Sequence, residues 1–133
     1  MGSLVGTLKE TVDDLRAKGE KVGILKIRSF RPFPKEKILE VSGHVKDFIV
    51  LEKAFCYGSG GIVQEELKGA FYGHKHHPTI SGFVLGLGGR DIPPSTLKRI
   101  YDLSKGKVLQ NQFVDLRSDV VAPKDMPFTL QTK

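Results

Sequence analysis

Apolar positions fall into short runs separated by amphipathic stretches, and this alternation predicts the elements. From Thr7 to Lys18, Leu8, Val12, Leu15 and Ala17 recur at roughly helical spacing, and Gly19 supplies a stop. KVGILKIRSF, with Val22, Ile24, Leu25 and Ile27, reads as a buried strand. Pro32 and Pro34 break the pattern, because neither can donate to a ladder, and Pro34 suits the start of a helix over Lys35 to Val41. Lys46 to Glu52 is a second short strand, and GSGG at 58–61 leads into a helical pattern of Ile62, Val63, Leu67, Ala70 and Phe71. A third strand, Thr79 to Leu85, runs into the turn GLGGRD. Pro93 or Pro94 opens another helix, with Leu97, Ile100, Tyr101 and Leu103 on its apolar face and Gly106 at its end. The tail adds one strand-like run, at Val108-Leu109 or at Phe113 to Leu116, and reads as an extended end after Pro123.

Strands alternating with helices predict an α/β domain with a parallel-type sheet and helices on both faces. A length of 133 residues fits one domain with one core. Three strands are few for that length, so either the tail adds strands or the chain belongs to something larger.

Composition narrows the function classes. At 39% apolar and 27% charged residues this is an ordinary globular composition. No window approaches the ~18 apolar residues that a membrane span needs. MGSLVGTLKE lacks the basic, apolar and small-residue regions of a signal peptide. The net charge of +6 raises nucleic acid as a partner. The 21 basic residues are, however, interleaved with 15 acidic ones, as in Lys35-Glu36-Lys37, which reads as solvated faces and argues against it. The single cysteine, Cys56, forms no internal disulfide, which fits a reducing cytoplasm. One thiol also falls short of the roughly four that an iron–sulfur cluster takes.

The candidate sites each have a plain reading beside a chemical one. In GSGG, Gly58, Gly60 and Gly61 sit between a strand and a helix, where backbone amides can hold an anion. The dinucleotide fingerprint fails at Val63 and the P-loop ending is absent, so a chain turn is the better reading. In GLGGRD, Gly86, Gly88 and Gly89 lie at the carboxyl end of a strand, where open α/β sheets bind ligands. There Arg90 and Asp91 form a local ion pair, or else Arg90 faces an anion or a partner subunit. RSFRPFP is a rigid connection or an interface loop anchored by Arg31 and Phe33. GHKHHP reads as a solvated turn without metal ligands around it, and Cys56 as a partly buried structural residue. No complete catalytic set emerges.

The order of segments is more specific than any one of them. GTLKETVDDLRAKGEKVGILKIRSFRPFP, DFIVLEKAFCYGSGGIVQEEL and ISGFVLGLGGRDI together resemble the second domain of the pyruvate:ferredoxin oxidoreductase family, over roughly residues 2–104. That domain is the C-terminal part of the alpha subunit in the multi-subunit enzymes, and is similar to the C-terminal domain of transketolase. The resemblance implies a three-layer α/β/α domain with a mostly parallel sheet, residues 1–106 forming the transketolase-like unit and 107–133 a partly extended C-terminal extension. It implies a parent enzyme that oxidatively decarboxylates a 2-oxoacid to acyl-CoA with thiamine diphosphate and iron–sulfur clusters. This chain alone is then expected to bind none of these cofactors and to have no turnover. Its partners would be thiamine-binding and ferredoxin-like subunits in a homo- or hetero-oligomer. Arg31, Phe33, Arg90 and Asp91 are expected at contacts, and the six glycines are expected to shape the turns. The rival expectation is a stand-alone module that binds a nucleotide or coenzyme A at the glycine loops.

Overall fold

The structure, a computed structural model, describes residues 2–116, so the extended end expected after Pro123 lies outside it. Along the chain come α1 (Leu4–Ala17), α2 (Lys35–Val41), β1 (Asp47–Glu52), α3 (Ile62–Phe71), β2 (Thr79–Val84), α4 (Pro94–Ser104) and β3 (Gln112–Phe113). A 3₁₀ turn at Leu87–Gly89 stands between β2 and α4.

The three strands form one parallel sheet in the order β1-β2-β3, with Asp47 opposite Thr79, Glu52 opposite Val84, and Phe83 opposite Gln112. Alternation along β1 divides the core in two. Phe48 and Val50 pack with Ile80 of β2, Ile38 of α2, and Leu67 and Phe71 of α3. Ile49 and Leu51 lie on the other face with Phe83, Leu85, Leu4 and Leu8 of α1, and Leu97 and Ile100 of α4. Helices therefore cover both faces, giving the expected three layers. Burying one such side chain is worth about 1.5–3 kcal/mol.

Local chemistry sets the helix ends. α1 stops in a Schellman motif, with Gly19 in the left-handed region (φ 85°). Glu20 N–H donates to the Leu15 carbonyl at 3.1 Å and Gly19 N–H to that of Arg16 at 2.9 Å. α4 opens on Pro94, where the missing N–H goes unneeded.

One expected strand is absent. Val22 to Ile27 has no regular secondary structure and joins no ladder, and from Gly23 to Ser29 the backbone makes no backbone–backbone hydrogen bond among the described residues. Strand propensity is there; a neighbouring strand is not. Of this stretch, Ile27 packs against the cluster of Ile38, Val50, Leu67, Phe71 and Ile80.

Candidate functional site

Because β1 and β2 are parallel neighbours, the loops that leave them meet at the carboxyl edge of the sheet. Both glycine turns lie there. The first is organised around Glu52, the last residue of β1, which is only 8% exposed. Its carboxylate accepts the N–H of Val63 at 2.9 Å and of Gln64 at 3.1 Å. These are first-turn amides of α3, whose N-cap, Gly61, has no side chain to serve them. A Cβ at Gly61 would overlap the Glu52 carboxylate, so the glycine is what admits it. Burial pushes the Glu52 carboxyl above the ordinary glutamate range, and the amides of Val63, Gln64 and Ile62 pull against that. The amides a phosphate would need are thus already engaged by a carboxylate of the same chain.

Before α3 the chain makes a small loop. Cys56 and Gly60 bridge in antiparallel fashion, with Cys56 N–H donating to the Gly60 carbonyl at 2.8 Å and Gly60 N–H returning at 2.9 Å. The closing residues differ sharply in exposure, Gly60 being buried and Tyr57 at the tip 94% exposed. Cys56 is exposed too, correcting the expectation of a partly buried residue, because the bridge holds its backbone and leaves the thiol outside. Asn111, itself left-handed at φ 53°, brings its Oδ1 to within 3.4 Å of Gly61 N–H.

The second turn uses glycine for its backbone. Gly86, Gly88 and Gly89 have φ of 69°, 66° and 76°, a region that side-chain-bearing residues seldom adopt. Lys53 lies over Gly86, its Cε 2.9 Å from where a Cβ would stand. Arg90 and Asp91 are both exposed and do not pair with each other. Asp91 Oδ1 instead accepts the N–H of Ile92 at 2.9 Å, a local turn contact.

Arg31 and Phe33 sit on the α2–α3 side. Arg31 Nη2 meets Glu66 Oε1 at 2.6 Å, and its guanidinium lies 4.2 Å from the centre of the Phe30 ring. Phe33 shares an open groove of about 720 Å³ with Lys35, Cys56, Ser59, Ile62 and Glu66. The structure therefore joins the RPFP segment to the first glycine loop, a juxtaposition that sequence order conceals.

The histidine turn is better anchored than expected. His76 Nε2 lies 2.7 Å from the Val45 carbonyl, and the rings of His74 and His76 stand edge-on to Phe71. Among the described residues no group of three or more His, Cys, Asp or Glu side chains is placed to hold a metal ion. None of the described helices is long and apolar enough to cross a membrane. Sequence reasoning missed Glu52 and Asn111; an acidic residue closing an apolar run, ahead of a helix whose N-cap is glycine, was the available signal.

Comparison with known proteins gives this geometry a family. Residues 1–97 match the pyruvate:ferredoxin oxidoreductase core domain II. The chain is 48% identical over 115 residues to the ketoisovalerate oxidoreductase subunit VorA of Pyrococcus furiosus, covering 86% of this chain and 29% of that protein. It is 39% identical over 127 residues to the pyruvate synthase subunit PorA of Methanosarcina barkeri, covering 91% and 32%. The PorA of Thermotoga maritima is 41% identical over 102 residues, covering 77% and 26%. The chain thus spans about a third or less of the length of these relatives. A parallel α/β/α layer structure, the two glycine turns at its carboxyl edge and this run of identities place the chain in the family of pyruvate:ferredoxin oxidoreductase core domain II.

Proposed function

We propose that the chain is a non-catalytic assembly and interface domain of a 2-oxoacid:ferredoxin oxidoreductase, the class of enzyme that converts a 2-oxoacid to acyl-CoA. The observation that carries the reading is its likeness, at 48% identity, to a protein named as a subunit of ketoisovalerate oxidoreductase. The chemistry of the chain supports it. One cysteine cannot ligate an iron–sulfur cluster of about four thiolates. Glu52 holds the α3 amides that would otherwise suit a diphosphate. Thiamine diphosphate, clusters and coenzyme A accordingly belong to other parts of the complex.

In this reading Arg31, Phe33, Arg90 and Asp91 contact neighbouring subunits, and Gly58, Gly60, Gly61, Gly86, Gly88 and Gly89 shape the two turns. Residues 1–106 are the transketolase C-terminal-like unit and 107–133 its extension, whose Gln112-Phe113 returns to the sheet. The partners are thiamine-binding and ferredoxin-like subunits, and the compartment is the cytoplasm.

A tagged pull-down from the native anaerobic extract, read by mass spectrometry, tests this. Recovery of thiamine-binding and ferredoxin-like subunits is expected, with Arg90→Ala weakening recovery while the domain stays folded. A folded, soluble bait that retains neither subunit refutes the proposal.

A further inference from the structure

The four histidines of the chain, His44, His74, His76 and His77, are collected by the fold at one end of the sheet. Because the strands are parallel, α3 and α4 each leave the carboxyl edge and carry the chain back to the amino edge, where β1 and β2 begin. Three connections meet there: residues 42–46 before β1, 72–78 between α3 and β2, and 105–107 after α4. Direct contacts fix the meeting. Thr79 N–H donates to the Lys46 carbonyl at 2.8 Å, His76 Nε2 lies 2.7 Å from the Val45 carbonyl, and the Ser81 hydroxyl donates to the Lys107 carbonyl at 3.3 Å. The middle connection is also braced from within, His76 N–H donating to His74 Nδ1 at 3.2 Å and His74 N–H to the Phe71 carbonyl at 3.0 Å.

Charge at this edge is one-sided. The three connections carry Lys46, Lys75, Lys105 and Lys107 and neither aspartate nor glutamate. Lys105 is met by Glu20. Lys46, Lys75 and Lys107 are exposed and form no ion pair among the described residues. Asp47, next to Lys46, is engaged by the Thr79 hydroxyl, whose hydrogen bond it accepts. Apolar surface accompanies the charge, Tyr72 being 89% exposed and Val108 53%. This mixture selects the partner. Phosphate is read best by the guanidinium fork of arginine, and none of the three connections holds an arginine. An exposed tyrosine with charged groups around it is instead the make-up of a protein interface.

We infer that the amino edge of the sheet is a docking surface for an acidic protein, in which Lys46, Lys75 and Lys107 pair with carboxylates while Tyr72 and Val108 supply apolar contact. The surface lies at the opposite end of the strands from the two glycine turns, so it goes beyond the subunit contacts proposed above and does not depend on them. Its connections are already held to one another, so docking orders little chain and loses little entropy. Exposed lysines of this kind speed encounter with a negative surface, and salt weakens that attraction.

The test titrates the isotope-labelled full chain with an oligoglutamate peptide, standing in for a carboxylate-rich protein surface, and separately with a thymidine oligonucleotide, and follows the backbone amide resonances. Oligoglutamate should shift amides in residues 44–46, 72–77 and 107–108 and leave the glycine turns in place. Replacing Lys46, Lys75 and Lys107 together by glutamine should weaken its binding by about tenfold, the scale of three exposed charge pairs. Replacing Lys9, Lys35 and Lys53 by glutamine removes the same charge from exposed sites elsewhere and should leave binding as in the parent chain. Equal loss in the two triple variants, or shifts spread over the whole surface, would reduce the effect to net charge and overturn the proposal. Tighter binding of the oligonucleotide at the same amides overturns it in favour of nucleic acid, and absence of peptide binding refutes it outright. Neither probe is a subunit of the enzyme, so a failed pull-down would sink the assembly reading and leave this result untouched.

Discussion

The Gln64 side chain occupies the space beside Gly82 that a Cβ would fill. The glutamine, wholly buried in α3, presses its side-chain carbonyl so close to β2 that a Cβ at residue 82 would overlap it. Its Nε2 reaches the Ile80 carbonyl at 3.5 Å, and its Oε1 has no conventional partner among the described residues. The close approach accounts for a glycine in the middle of a buried strand.

Gly82→Ala is therefore expected to destabilise the domain by about 1–3 kcal/mol, since an overpacked core must shift to absorb the methyl. Adding Gln64→Ala should recover part of that loss. Urea unfolding of both single variants and the double variant measures the coupling, and strictly additive effects would refute the contact.

Glu52 makes stability depend on pH in a defined direction. Burial, the largest cause, raises its folded-state pKa above the ordinary value. Between the unfolded and folded values the folded chain keeps a proton that the unfolded chain has lost, so stability falls as pH rises through that window. The contribution is greatest below the ordinary glutamate range of about 4.3. Glu52→Gln should flatten this segment of the stability–pH curve, which chemical denaturation at stepped pH would show.

Glu20 should act in the opposite sense. Its carboxylate accepts hydrogen bonds from Lys105 at 2.5 Å and from the Tyr101 hydroxyl at 2.8 Å, and Lys105 is the larger cause of its lowered pKa. Its stabilising contribution is present above the ordinary glutamate range and is lost as pH falls through the lowered folded value. Thermal unfolding of Glu20→Gln should accordingly lose less on acidification than that of the parent chain.

Gly61→Ala should displace the Glu52 carboxylate from the start of α3. Loss of a helix N-terminal partner costs typically about 1 kcal/mol. Gly61→Ala and Glu52→Gln should flatten the same pH segment, with the double variant no flatter than either. Independent effects would show that the two residues do not act on each other.

Arg31 separates fold from assembly. Its pair with Glu66 is 62% and 34% exposed, and pairs of this kind are worth about 0–1 kcal/mol. Arg31→Ala should leave the unfolding midpoint nearly unchanged while lowering recovery of partner subunits. A large stability loss with normal recovery would make Arg31 a structural residue.

The legibility of the sequence followed the range of the interactions. α2 was readable because Pro34 marks its start locally, and β1 and β2 because their apolar runs are short and bounded. Val22 to Ile27 reads as a strand and forms none, because propensity records what a segment prefers and says nothing of whether a neighbour is at hand. Cys56 was misjudged because its exposure is set by a bridge to Gly60 rather than by its flanking residues. Glu52 and Asn111 passed unnoticed because each gains its role from a segment that arrives later in the chain.

Asn111 carries that last point into the order of folding. It touches the loop before α3 from 50 residues further along the chain, after β2 and α4 have been laid down. Contacts of such sequence separation are slow to form, because a long loop must close first. The first glycine turn is thus latched by the residue that leads into β3, and its final shape belongs to a late stage of the folding reaction. Cleavage between α4 and Asn111 would loosen this latch, making the turn a reporter at the carboxyl edge of damage some 50 residues further along the chain.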